Sequence, residues 1–231
     1  KKEVIYLYNN PYYQICDKIF INLDCSNLIK IKSEKFDKFF DHNNNLIYYG
    51  ETQSNLRHGF GYIYINNKVI FEGYFKNNNM NGIGKLYHSN GCILFSGHFK
   101  NNKRHGYGKL YNHFEKIIYD GYYMNNSKNG FGITYFQHNN SVKYEGNFKN
   151  NLKHGLGTLY HNNNNFMPLY YGQFRLNKYD GFGILFSKKN KIIYQGFWKN
   201  DQKNGYGIFK DDLNKIYTGL WKKDYLCPKY F

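Results

Sequence analysis

Three histidines stand at equivalent places in this chain, each directly before a glycine: His58-Gly59, His105-Gly106 and His154-Gly155. Imidazole is a common zinc ligand, so three at matched positions invite a metal-site reading. Their spacing argues against it. They recur every second repeat, which on a sheet with strands about 4.8 Å apart separates neighbours by roughly 20 Å. Zinc ligands lie about 2 Å from one shared ion. Asn81, Asn129, Asp180 and Asn204 fill the same place in the other copies. His, Asn and Asp tolerate left-handed backbone conformations, so these residue types predict a turn rather than a ligand.

Catalytic chemistry finds no footing. The recurring Gly-x-Gly pairs are expected inside strands and never open a helix, so they are not a phosphate loop. The chain has 16 carboxylates, and Glu72, Asp120 and Glu145 share a repeat position that reads as polar surface. No Ser/His/Asp grouping or nucleophile elbow is present. The expectation is therefore no catalytic residue, no metal and no cofactor. Basic residues interleaved with Tyr and Phe suit single-stranded nucleic acid, but a core must be built from the same rings, which disfavours that partner.

Two sets of residues are better suited to binding. The residue between the paired glycines is large and apolar in every copy: Phe60, Ile83, Tyr107, Phe131, Leu156, Phe182 and Tyr206. It must point away from the face that carries the repeat's other rings, giving a second apolar stripe. Such stripes usually mark interfaces, here with a partner segment or a second copy of the chain. The alternative is that the twist of the sheet lets neighbouring side chains and the Asn-rich links cover it. The second set is basic: Arg57, Lys76, Lys100, Arg104, Lys128, Lys149, Lys153, Arg175, Lys178, Lys199 and Lys203 fall at hairpin ends. Stacked, they predict a cationic rim, either solvating the edge or meeting an anionic lipid surface.

The element that positions all of these is a repeat. Tyr144 to Tyr160 reads YEGNFKNNLKHGLGTLY, and related copies begin at Tyr48, Phe71, Phe95, Tyr119, Tyr144, Tyr170 and Tyr194, with a half-copy at Tyr217. Their period of 23 to 26 residues is the signature of a repeat array. The interval from the first glycine (Gly146) to the first of the pair (Gly155) is nine residues in all seven full copies, and length varies only in the Asn-rich links. Aromatic, Gly, aromatic at alternate positions share one strand face. The core residues predicted on that basis include Tyr119, Gly121, Tyr123, Tyr144, Gly146, Phe148, Tyr194, Gly196 and Trp198. Each copy is expected to be a β-hairpin with a turn through Lys149 to His154 and its equivalents. Stacked, the hairpins form an all-β, elongated single-sheet solenoid. Residues 1–45 do not follow the repeat and are read as a cap or degenerate repeat, with strands at Val4–Tyr8 and Leu28–Lys32 and a helical turn at Phe36–His42. The array spans 46–221, and 222–231 are a tail.

Composition agrees with this reading. Aromatics make up 21% of the chain, Gly counts 23 and Pro only 3. The net charge of +16 favours acidic partners. The Asn and Lys content also matches the coding bias of an AT-rich genome and need carry no message. Four cysteines without a C-x-x-C pair argue against a disulfide framework and suggest a reducing, cytoplasmic setting. A start at Lys1 suggests a piece of something longer.

YEGNFKNNLKHGLGTLY and YQGFWKNDQKNGYGIF resemble the MORN repeat (membrane occupation and recognition nexus), whose pattern is Y-x-G-x-W/F, a basic turn, then H/N-G-x-G and an apolar residue. The resemblance covers about Tyr48 to Trp221. Thr52 stands where an aromatic is expected, and the last copy lacks its Gly pair. The resemblance implies a non-catalytic scaffold with protein partners at cytoskeletal, axonemal (radial-spoke), membrane-skeleton or cell-division assemblies, with homodimerisation and anionic lipid as further expectations. It also implies an alternative, the regulatory module of a longer enzyme such as a lipid kinase.

Overall fold

The computed structural model describes residues 29–32, 36–162 and 166–228. The chain divides into two compact units, Lys1–His105 and Gly106–Phe231. Both are all-β. The first is an antiparallel meander of Ile29–Lys32, Asp37–Phe40, Leu46–Gln53, Leu56–Ile65, Lys68–Lys76, Asn79–Tyr87 and Ile93–Lys100. The strand Lys103–Tyr111 contains the boundary. The second unit continues with Ile117–Met124, Ser127–Tyr135, Val142–Lys149, Leu152–Tyr160, Pro168–Arg175, Lys178–Phe186, Ile192–Lys199, Gln202–Lys210, Ile216–Lys222 and Tyr225–Leu226, each antiparallel to its chain neighbours. The antiparallel hairpins read from the repeat are the fold.

The register explains the repeat's glycines. Gly146 pairs with Gly157, Gly157 with Gly172, Gly172 with Gly183 and Gly183 with Gly196, so glycines form a row across the strands. The first aromatic of each copy lies flat on that row. An added Cβ at Gly157 would sit 2.4 Å from Tyr144 Oη and 2.6 Å from its Cε2. Side chain and backbone approach there as only glycine permits. Gly155, the first of the pair, has a different reason. The register slips between Gly146 and Phe148, leaving a β-bulge in which Gly155 takes φ +72°, the left-handed conformation a bulge demands.

The rings form the core. Tyr48, Phe71, Phe95, Tyr119, Tyr144, Tyr170 and Tyr194 are all essentially inaccessible, and Phe75, Phe99, Tyr123, Phe148, Phe174, Trp198 and Trp221 nearly so. They interlock edge to face: Tyr144 meets Phe148 of its own copy at 5.1 Å and Phe174 of the next at 5.2 Å, both near perpendicular. The first-position tyrosines and the tryptophans have their polar tips satisfied. Tyr144 donates to the Asn147 carbonyl (2.9 Å), and Tyr119, Tyr170 and Tyr194 likewise to carbonyls three residues on. Trp198 and Trp221 donate their indole N–H to the Gly183 and Gly207 carbonyls.

Burial pushes the hydroxyls of Tyr119, Tyr144 and Tyr170 up, and that of Tyr194 up to about 12. Above their ordinary value of 10.0 the folded chain keeps protons that the unfolded chain has lost, so stability must fall as pH rises through that window. Burial lowers Lys153 and Lys203 instead, which gives these two the opposite slope below 10.5. The expected result is a melting temperature that holds up to about pH 10 and then drops steeply towards about pH 12. Tyr194→Phe should flatten that drop, since Phe71 and Phe95 already fill the same place without a hydroxyl. An unchanged slope in the Phe variant would count against the assignment.

Three expectations are corrected. Phe36–His42 is not a helical turn: Asp37–Phe40 is a strand paired with Leu46–Gly50, because Phe39 buries its ring against Tyr48 (5.4 Å). The hairpin turn does not run from Lys149 to His154. Lys149 already pairs with Leu152, leaving Asn150 and Asn151, at φ 50° and 69°, as a two-residue turn of the kind that Asn favours. The half-copy also goes further than read: Lys223 and Asp224 make the same turn into the short strand Tyr225–Leu226. Of the two cap strands, Ile29–Lys32 forms, while Val4–Tyr8 lies outside the described residues. Thr52, the odd residue of the first copy, donates its hydroxyl to the Asp37 carboxylate beside it.

Candidate interaction surface

The strands alternate so strictly that the outward face can be read from the core. In Val142–Lys149, Tyr144, Gly146 and Phe148 are buried, while Glu145 is half-buried and Asn147 and Lys149 are exposed. On the return strand Leu156 points the same way as Asn147. The stripe residues pair across strands: Phe60 with Tyr74, Ile83 with His98, Tyr107 with Tyr122, Phe131 with Asn147, Leu156 with Gln173, Phe182 with Phe197 and Tyr206 with Leu220. Ile83, Tyr107, Phe131, Leu156, Phe182 and Tyr206 are 42 to 71% exposed, and Phe60 is half-buried. The structure thus places the predicted stripe outward, with Phe60 and Ile83 in the first unit and the other five in the second. Sequence reading missed its partners Tyr74, Tyr122, Phe197 and Leu220, each about half exposed. The signal was present, since each stands two residues before a first-strand end.

The basic set splits into two groups by side of the sheet. Lys76, Lys100, Lys149, Arg175, Lys178 and Lys199 are exposed on the outward face at the turn ends. The others cover the core rings. Lys153 Nζ lies 5.3 and 5.4 Å from the Tyr144 and Phe174 ring centres, Lys128 4.6 Å from Tyr119, and Lys203 4.3 Å from Phe209. Arg57 and Arg104 sit over Phe75 and Phe95. Met80 and Tyr179 take this place in two copies, Tyr179 stacked 3.7 Å from Tyr170. A site shared by Arg, Lys, Met and Tyr selects for long side chains that can lie on an aromatic surface, which favours cation–π packing over lipid contact. Arg104, Lys128, Lys153 and Lys203 therefore do not belong to one free rim.

The histidine position is also resolved. His58, His105 and His154 lie within strands at the bulge, not in turns, and each has a buried Nδ1 without a hydrogen-bond partner. The left-handed residue is the glycine that follows. Among the described residues no group of three His, Cys, Asp or Glu is placed to hold a metal. The carboxylates that share a position are engaged locally: Glu72 with Lys85 (2.8 Å), Asp120 with Lys109 (3.2 Å) and Tyr107, and Glu145 with Tyr160.

Asparagine turns out to be structural. In six of the hairpin turns the second residue clasps the hairpin before it. Asn177 donates its backbone N–H to the Lys153 carbonyl (3.0 Å) and accepts the Lys153 N–H on Oδ1 (2.7 Å). The same reciprocal pair joins Asn78 to Arg57, Asn102 to Met80, Asn151 to Lys128, Asp201 to Tyr179 and Asp224 to Lys203. Only Asn or Asp offers both a tolerated left-handed backbone and an acceptor at this reach.

The family model of the MORN repeat matches residues 71–93, 95–112, 119–137, 144–166, 170–190 and 194–212. A search of curated protein sequences finds no match. Similar solved structures include crystal structures of S. aureus TarM, one of them a glycine-to-arginine mutant in complex with Fondaparinux, alpha-GlcNAc-glycerol and UDP. Both are 14% identical over 62% of this chain and 24% of theirs, with TM-scores of 0.27 and 0.26. The chain spans about a quarter of the length of those proteins. With the ring-on-glycine register, the bulge and six matches to the family model, the chain belongs to the MORN-repeat family.

Proposed function

We propose that the chain is a non-catalytic scaffold that binds other proteins through its outward face. The observation that carries this reading is the exposed apolar stripe of the second unit, from Tyr107 to Tyr206, on the side of the strands that does not build the core. Half-exposed Phe and Tyr in a row cost solubility and add nothing to the buried ring stack, so their value lies in contact with a partner. A cytoskeletal, axonemal or membrane-associated assembly is the setting we infer, and regulation of a linked enzyme would use the same face.

The test separates binding from folding. Phe131 and Phe182 are 51 and 43% exposed, so Phe131→Asp with Phe182→Asp should shift stability by no more than about 1 kcal/mol. The same variant should lose the proteins that the unaltered chain captures from its native cell, read by mass spectrometry. A folded variant that retains them all would rule this face out.

A further inference from the structure

We propose that the outward face of the second unit receives an acidic, amphipathic peptide segment of a partner protein. The inference rests on the scaffold reading above and names the chemistry of the partner. It comes from two residue classes falling side by side. On successive first strands the outward positions read Asn147 then Lys149, Gln173 then Arg175, Phe197 then Lys199, and Leu220 then Lys222, with buried residues between. Each cation therefore lies two residues, about 7 Å, beyond a stripe position along its strand. Across from these positions stand Phe131, Leu156, Phe182 and Tyr206. An exposed apolar row is thus bordered along its turn side by exposed cations.

Those cations are available. Among the described residues Lys149, Arg175 and Lys199 make no ion pair. The nearby carboxylates keep their charge but are held by hydrogen bonds within the fold, Glu145 from Tyr160, Asp180 from the Asn200 N–H, and Asp201 and Asp224 from the backbone N–H groups of Tyr179 and Lys203. Among the described residues none of them pairs with these cations. The side chains that point outward at this border, Lys149, Arg175, Lys199 and Lys222, are all cationic, which asks for acidic side chains on one edge of whatever covers the rings. The asymmetry favours a peptide. A segment with an apolar face and an acidic flank matches a stripe with cations on one side, whereas a laterally uniform lipid surface gains nothing from that order. Bases need open ring faces, and Phe182 meets Phe197 edge-on at 5.7 Å.

The experiment pans a displayed library of random 20-residue peptides against the full chain and measures the selected peptides by fluorescence anisotropy. Selected peptides should be rich in Asp and Glu beside regularly spaced apolar residues. Their affinity should fall about 30-fold with Lys149→Glu, Arg175→Glu and Lys199→Glu combined, and by a similar factor between low and high salt. Lys210→Glu, at the opposite end of its strand from that border, should change it less than about threefold. These reversals are of exposed residues, and matched thermal melts confirm the fold. Selection of neutral or basic peptides overturns the proposal, as does indifference to the triple reversal. So does an empty selection, whether the same face then binds phosphatidylserine vesicles, an oligothymidylate or a second copy of the chain. If Phe131→Asp with Phe182→Asp releases captured proteins while the triple reversal does not, the scaffold reading stands and this inference fails.

Discussion

Gly157→Ala should destabilise the fold by about 3 kcal/mol, at the upper end for a single added methyl. The new Cβ would meet Tyr144 Oη at 2.4 Å and Cε2 and Cζ at 2.6 Å. Tyr144 has nowhere to retreat. Its ring is held between Phe148 and Phe174, and its hydroxyl is bound to the Asn147 carbonyl. Gly155→Ala makes the contrast. There the Cβ would find Asn147 Cβ at an ordinary 3.6 Å, and only the φ of +72° resists it, which costs about 1 to 2 kcal/mol. One glycine is required for space and the other for backbone conformation, although the repeat writes them as one motif.

A double-mutant cycle tests the mechanism. In a Tyr144→Leu background the ring is gone, so Gly157→Ala should cost less than half as much, while the cost of Gly155→Ala should barely change. Because each hairpin contacts mainly its neighbours, global melting is best paired with hydrogen exchange at the amides of Tyr144 to Tyr160. Additive costs for Tyr144→Leu and Gly157→Ala would mean that the ring and the glycine do not meet as described.

The all-β fold was legible because the repeat states the period-2 face outright: Tyr144, Gly146 and Phe148 alternate with polar residues. The outward stripe followed from the same parity argument, since a residue directly before an inward glycine such as Gly157 must point out. What the sequence hid has physical causes. The turn was read too long because Lys149-Asn-Asn-Leu-Lys-His carries no proline or glycine to mark where the ladder stops, and Asn supplies the left-handed pair instead. His154 was assigned to the turn because its tolerance for left-handed backbone is real, yet Gly155 beside it carries the bulge. Lys153 and Arg175 look alike in sequence as hairpin-end cations. Strand parity separates them, placing one over Tyr144 and the other outward, and parity could be followed past the turn only once its length was known. Asparagine looked like compositional bias because its clasp reaches a backbone group some 20 residues earlier, where no local pattern shows it.

That clasp yields the second large effect. Asn177→Ala should cost about 2 kcal/mol, combining left-handed strain at a residue with a Cβ and a Lys153 N–H left without its acceptor. The parts can be separated by choice of replacement. Gly at 177 adopts φ 70° freely but lacks the acceptor, so Asn177→Gly should cost about 1 kcal/mol. Asn177→Asp keeps both features, as Asp201 and Asp224 do in later hairpins, and should stay within about 0.5 kcal/mol of the original. The neighbouring position runs the other way. Leu176 holds φ 52° with its side chain 60% exposed, where the other full copies place Asn or Ser, so Leu176→Asn should stabilise by about 0.5 to 1 kcal/mol. Equal costs for the Gly and Ala variants would assign the whole effect to the lost acceptor and none to backbone strain. A neutral Gly variant would show that the side-chain half of the clasp, although repeated along the chain, does not hold one hairpin to the next.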